Sequence, residues 1–184
     1  MSTKTVRPWT RISEGPATDY KILTVREVQV ADPRDGSKHP RVLIESPDWV
    51  NIIPVTREGQ VVLIRQFRFG VWANTLEIPG GMTEPGEDPQ ASAARELEEE
   101  TGYRPSRVVP LGSCHPNPAL QGNRTWSFLA EGCEKVSAGD QDEGEDIAVE
   151  LVNRSEIPRL IREGQITHSL VLVAFLLEHL RVTP

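Results

Sequence analysis

The sequence predicts a mixed α/β domain, a sheet packed between helices with extra strands at the N-terminus, and three observations carry that prediction. Segments rich in β-branched residues lie on both sides of one well-capped internal helix, and two more helical patterns close the chain. The 15 prolines and 14 glycines are scattered as punctuation, with no repeat or low-complexity tract, so the 184 residues read as one unit.

Taken in order, Tyr20 to Val30 is rich in Val, Ile and Thr, Asp32-Pro33-Arg34-Asp35-Gly36 supplies turn residues, and Arg41 to Glu45 resumes the pattern, which reads as a hairpin. Trp49 to Val55 and Val61 to Phe67 form a second pair around the polar turn Arg57-Glu58-Gly59-Gln60. The internal helix spans Pro89 to Thr101: Asp88 is placed to cap it, Pro89 suits its first position, and Gly102 ends it. Val108 to Leu111, Thr125 to Ala130 and Ile147 to Val152 read as strands. A short helix starts near Ser155, tolerates Pro158 in its first turn and stops by Gly164. Thr167 is the expected cap of a last helix whose Leu170, Val171, Ala174, Leu177 and Leu180 recur at core-facing spacing.

Charge and composition exclude several classes. With 20 Lys+Arg against 27 Asp+Glu the net charge is -7, so the footprint of a general nucleic-acid binder is missing and no nucleic-acid partner is expected. The longest apolar run, Leu170 to Leu177, is far shorter than the roughly 18 residues of a membrane span, so no membrane partner is expected either. Met1 to Trp9 has no apolar stretch behind it, which makes the cytoplasm the expected location. Cys114 and Cys133 show neither disulfide nor zinc spacing and read as small, largely buried residues.

The chemistry concentrates between Gly80 and Tyr103. Glu96, Glu99 and Glu100 stand at i, i+3 and i+4, so their carboxylates share one helix face, where like charges repel by about 0.2–0.5 kcal/mol per pair. A hard divalent cation answers that repulsion: Mg²⁺, with Mn²⁺ as the alternative, prefers oxygen ligands supplied by a few carboxylates and substrate phosphates. Arg95 can pair with Glu99 one turn on or reach back to Glu87, while Ala93, Ala94 and Leu97 suit packing on a sheet. Gly80 and Gly81 allow close backbone approach, and the Gly80 carbonyl is a further candidate ligand. On the three glutamates alone, a solvated Glu-rich face explains the pattern as well. Rival motifs fail: Gly81-x-x-x-x-Gly86 continues Glu87-Asp88 where a P-loop needs Lys-Ser/Thr, and the acidic loop at Asp140 puts Gly144 and Glu145 where a calcium loop needs a ligand and a glycine.

Gly81, Glu87, Arg95, Glu96, Leu97, Glu99, Glu100 and Gly102 match the spacing of the Nudix box, with Tyr103 the one departure, at a packing position. The sequence thus resembles a Nudix hydrolase over about Trp49 to Leu180. The run Val62 to Arg68, Leu76-Glu77-Ile78-Pro79-Gly80-Gly81, and the later Glu143 to Ile147 and Arg162 to Ile166 are similar to the ADP-ribose pyrophosphatase-like branch. His115 to Arg124 departs from the wording of ADP-ribose specialists and, with Pro47 to Asn51, looks more like relatives acting on nucleoside diphosphate sugars such as GDP-mannose.

What the resemblance implies is hydrolysis of the pyrophosphate bond of a nucleotide sugar to a nucleoside monophosphate and a sugar 1-phosphate. The metal ligands would be Glu96, Glu99, Glu100, the Gly80 carbonyl and Glu145, with Glu145 first as the base and Glu99 and Glu143 left open. Arg68 would touch the diphosphate and Glu77 the sugar or nucleoside side, although each could equally belong to a structural ion pair. Residues 1–45 would form a strand-swapped dimerisation sheet ahead of a core spanning 46–184. That makes Trp9 a candidate base platform among the four indoles Trp9, Trp49, Trp72 and Trp126, and the protein a homodimer. Two other classes compete: a sensor that binds nucleotide sugars without cleaving them, against which the full set of box carboxylates argues, and an RNA-end hydrolase, which the net charge does not favour.

Overall fold

Asp32 shapes the N-terminal strands: its carboxylate accepts from the Arg34 amide and guanidinium while its peptide N–H bonds the Ser37 carbonyl, closing the expected turn. The computed structural model describes residues 5–141, 144 and 146–182. Strands β1 (Thr10–Asp19), β2 (Thr24–Ala31) and β3 (Lys38–Glu45) make an antiparallel sheet in the order β1-β2-β3. β1 escapes a pattern-based reading because it contains Gly15 and Pro16. It pairs with β2 only by breaking register between Glu14 and Ala17, and as an edge strand it tolerates a proline that cannot donate. The chain divides into two units, residues up to Pro47 with His115–Asn123, and Asp48–Cys114 with Arg124–Pro184. Within the first, the Ile44 N–H donates to Leu120 O at 2.8 Å, which attaches the 115–123 segment to β3.

In the second unit, β4 (Trp49–Thr56) and β10 (Thr125–Lys135) run parallel at the centre of a sheet ordered β11-β5-β4-β10-β8. β5 (Gln60–Arg68) and β11 (Ala148–Asn153) lie to one side and β8 (Tyr103–Arg104) to the other. β6 (Ala73–Glu77) pairs with β5, β7 (Gly80–Met82) with the start of β4, and β9 (Arg107–Cys114) with β10. The sequence reading missed β6 and β7, which are short and acquire their structure from those pairings. Helix α1 (Pro89–Thr101) has its expected ends: the Asp88 carboxylate accepts from the Gln90 and Ala91 amides, and Gly102 takes a left-handed φ of 69°.

Strand alternation assigns the two faces. Val50, Ile52, Phe128 and Ala130 meet Ala93 and Leu97 of α1. Ile53, Leu63, Leu76 and Leu129 pack with Ile157 and Leu160 of α2 (Ile157–Arg162), and with Val171, Ala174 and Phe175 of α3 (Ser169–Val182). The sheet therefore lies between helices, as the sequence predicts, and Pro158 occupies the first turn of α2, which follows a single 3-10 turn.

Three details correct the sequence reading. The first α3 bond runs from the Leu172 N–H to His168 O, so the helix begins beyond Thr167, the expected cap. Leu180 is 60% exposed, because the buried stripe continues through Phe175 and Glu178 instead. Cys133 is buried, whereas Cys114 is only partly so. Among the described residues, no helix is long and apolar enough to cross a membrane.

Glu178 is an ionisable group inside that stripe, paired with Arg154. Burial pushes its carboxyl above the ordinary 4.5 in spite of the arginine. A raised folded-state pKa gives stability that is fully present below 4.5 and lost as pH rises through the folded value. Glu178→Gln should remove that loss, so urea midpoints should move in the variant's favour, relative to wild type, as pH rises from 4.5. A difference that stays flat with pH would contradict the assignment.

Candidate active site

Helix α1 lays Glu96 and Glu100 against strand β7. The Gly80 N–H donates to Glu100 Oε2 at 3.0 Å, which holds the carboxylate, 3% exposed, against the strand. Glu100 thus lies buried at the base of the glutamate face rather than in solvent. One turn back, Glu96 lies over Gly81 so closely that a Cβ there would fall 2.5 Å from its carboxylate carbon. Glu99 is the more exposed member.

Arg95 organises the group, making both of the contacts its spacing allows. Nη1 reaches Glu99 Oε2 at 2.7 Å and Glu96 Oε1 at 3.0 Å, while Nε and Nη2 meet the two Glu87 oxygens at 3.1 and 3.2 Å. Hydrogen bonds from Arg95 take the Glu87 carboxyl down to about 2, and the same partners push the guanidinium pKa up. Glu87 also accepts from the Glu84 N–H, so the loop before α1 is fastened to the helix.

A second polar group occupies the same face of the sheet. Glu77 stands opposite Ile64, Thr75 opposite Gln66, and Ala73 opposite Arg68, in alternation with Leu63 and Leu76, which face α3. Arg68 binds Glu77 in bidentate fashion, both contacts at 2.9 Å, and Thr75 donates to Glu77 Oε1 at 2.6 Å. Burial alone would raise the Glu77 carboxyl, but the bonds from Arg68 and Thr75, with the nearby His168, outweigh it and hold the carboxyl below its ordinary value. Arg68 and Glu77 are therefore partners of each other.

Trp9 belongs to the N-terminal unit, 42% exposed, with its ring edge-on to His39 and under the Arg41 guanidinium. Glu143 and Glu145 lie outside the described residues. Of the other indoles, Trp72 projects at the tip between β5 and β6 beside Phe67 and Phe69, whereas Trp126 donates from Nε1 to Asp48 at 2.9 Å beneath Arg124.

A family model for the NUDIX domain matches residues 46–172. The chain belongs to the NUDIX family. Similar proteins include the ADP-ribose pyrophosphatase of Bacillus subtilis, 30% identical over 78% of this chain and 77% of the relative. The methanol dehydrogenase activator of Bacillus methanolicus is 32% identical over 82% and 83%. The GDP-mannose pyrophosphatase of Citrobacter koseri is 30% identical over 72% and 73%. The crystal structure of an ADP compounds hydrolase superposes with a TM-score of 0.84 over 96% of this chain and 95% of its own, at 20% identity, which establishes the shared fold.

The donor set fits the divalent metal that NUDIX hydrolases generally use. Glu96, Glu99 and Glu100 offer hard oxygens on adjacent turns, and the missing Gly81 side chain leaves a cradle for one of them. Arg95 balances the Glu96 and Glu99 charges in the structure, and among the described residues no three acidic, His or Cys side chains converge closely enough to enclose an ion.

The sequence reading overlooked the Asp48 cluster. Asp48 accepts from Trp126 Nε1 and the Arg124 N–H, and its carbonyl accepts from the Thr83 N–H, which ties β4, β10 and the end of β7 at one corner. The adjacent Asp48-Trp49 was the available signal, but its partners are 76 and 78 positions away.

Proposed function

We propose that this NUDIX pyrophosphohydrolase acts on nucleoside diphosphate sugars of the ADP-ribose or GDP-mannose type, with Mg²⁺ or Mn²⁺ as cofactor. Water adds across the P–O–P linkage, yielding a nucleoside monophosphate and a sugar phosphate. One observation carries the reading: Glu96 and Glu99 are gathered around Arg95, while Glu96 and Glu100 are seated on the Gly80–Gly81 backbone, a constellation of oxygen donors. Relatives bearing both pyrophosphatase names support the substrate class.

Glu96, Glu99, Glu100 and the Gly80 carbonyl are the proposed ligands, with Glu145 completing the set. A bound divalent cation would neutralise diphosphate charge and lower the pKa of a bound water. Arg95 keeps Glu99 and Glu96 aligned, and Gly80 holds Glu100 by its N–H. Glu145 is the first choice as the group that takes the water's proton, with Glu99 and Glu143 the alternatives. Arg68 and Glu77 bind substrate by parting: a diphosphate oxygen takes over the guanidinium and a ribose or sugar hydroxyl donates to the carboxylate.

The proposal extends to a cytoplasmic homodimer, with residues 1–45 as the dimerisation element and neither nucleic acid nor membrane as partner. Ile12, Tyr20, Ile22 and Val42 are exposed on or beside the N-terminal strands, apolar surface that a second copy would cover. In that arrangement Trp9 stacks on the base. Losing a base-stacking aromatic costs about 1–3 kcal/mol, so Trp9→Ala should raise KM at least about fivefold. An unchanged KM would count against the role, and sedimentation tests the dimer separately.

The function is tested by phosphate release, after coupling to a phosphomonoesterase, from ADP-ribose, GDP-mannose, UDP-glucose, a dinucleoside polyphosphate and a nucleoside triphosphate, with and without Mg²⁺. Turnover of one or two nucleotide sugars only with metal is the expected result. No turnover, with a nucleotide sugar still raising the thermal midpoint, would replace the enzyme by a sensor.

A further inference from the structure

Through the sheet from Glu100, on the face that α3 covers, the core stops being apolar. Ser127 stands directly opposite Asn51 in the parallel β4–β10 pair, and Thr125 opposite Trp49. By alternation Asn51, Thr125 and Ser127 share the face of Ile53 and Leu129. Asn51 is 6% exposed and the two hydroxyl residues 1% each. Among the described residues, Asn51 Oδ1, Thr125 Oγ1 and Ser127 Oγ are buried without a hydrogen-bond partner, and so is His168 Nδ1 just before α3.

The rest of Asn51 is firmly placed. Its Nδ2 donates to the Leu170 carbonyl in the first turn of α3 at 3.1 Å. Its backbone lies opposite Gly80 in the β4–β7 pair, where a Cβ on Gly80 would fall 2.9 Å from Asn51 Cα. Gly80 is the residue whose N–H holds Glu100.

We infer that Asn51 is a positioning residue for the carboxylate site: α3, together with water enclosed beside Thr125 and Ser127, fixes its side chain, and its backbone sets the Gly80 peptide that orients Glu100. Buried oxygens without partners are costly, and ordered water bridging two to four polar groups is the usual remedy. Beside Ser127 the neighbouring strand carries only Gly112, where a Cβ would meet Leu177 at 3.5 Å. An apolar residue at 51 would spare the desolvation but lose the tie to Leu170. The inference rests on the proposed function only in taking Glu100 as a metal ligand.

The test compares Asn51→Ala with Val171→Ala, which loosens the same helix but leaves Asn51 in place. Mn²⁺ affinity is measured by calorimetric titration of the whole protein, Gly80 amide exchange by NMR, and stability by thermal melts. Groups that only orient a metal ligand typically change metal affinity about 10-fold or more, so Asn51→Ala should weaken Mn²⁺ binding by about that factor. It should also exchange the Gly80 amide faster than Val171→Ala does at a matched loss of Tm. Ser127→Ala should shift both readouts in the same direction by less, and it carries the comparison should Asn51→Ala fail to fold. Equal Mn²⁺ affinity and equal Gly80 exchange in the 51 and 171 variants would overturn the inference. Absence of Mn²⁺ binding by the wild-type protein would instead sink the metal reading, and Gly80 exchange would then decide the role of Asn51 alone.

Discussion

Glu100→Gln is expected to lower kcat about 100-fold or more, since groups that merely orient a metal ligand already cost 10–100-fold when removed. The substitution keeps nearly every atom in place. Glutamine retains an oxygen that can accept from the Gly80 N–H, now 3.0 Å from Oε2, and it fits the same buried volume. What disappears is one negative charge at the base of the site, where the low exposure of Glu100 makes that charge hard to replace by solvent. Stability should change little, by no more than about 1 kcal/mol or roughly 2–4 °C in Tm. Mn²⁺ affinity should fall along with kcat, while KM for the nucleotide sugar stays within a few-fold. Turnover near the wild-type rate with a normal melt would remove Glu100 from the ligand set.

The local half of this site is legible in the sequence. Helix α1, its Asp88 cap, its Gly102 stop and the common face of Glu96, Glu99 and Glu100 follow from spacing, because helical neighbours lie three and four residues apart. Arg95 is legible too, since its spacing allows two of the three glutamates it takes, Glu87 and Glu99. The pairing of Arg68 with Glu77 requires the β5–β6 register, in which residues nine apart meet across a hairpin whose second strand is five residues long. Asn51 is harder still, since its role depends on Leu170 and Ser127, brought to it by the helix and the parallel strand that fold back over β4. The β1 strand is hidden for a different reason: Gly15 and Pro16 are turn residues by local preference, and only pairing with β2 overrides them. Local periodicity writes the helix and its charges, while long-range pairing writes which buried polar groups meet.

Gly80 and Gly81 are adjacent and both are packed against, yet alanine at the two positions should have opposite consequences. At Gly80 a Cβ would fall 2.3 Å from Val50 O and 2.9 Å from Asn51 Cα, so the obstacle is the backbone of the central strand, which cannot swing aside. Gly80→Ala must therefore separate β7 from β4, breaking the Val50–Gly81 and Asn51–Gly80 pairing, at a cost of at least about 2 kcal/mol in stability, in the range of overpacking a tight core. At Gly81 the atoms in the way are the carboxylate carbon and oxygens of Glu96, 2.5–2.6 Å from the new Cβ, the far end of a side chain that can rotate. Gly81→Ala should then melt within about 1 kcal/mol of wild type, the ordinary cost of a substitution that the surroundings can absorb. Its effect falls on chemistry, because the carboxylate it displaces is a proposed metal ligand also paired with Arg95 at 3.0 Å. Activity should drop in both variants, but only in Gly81→Ala should it drop without a fall in the urea midpoint. If Gly81→Ala melts like Gly80→Ala, the glycine pair is a packing requirement of β7 alone, and the close fit of Glu96 over Gly81 plays no part in shaping the site.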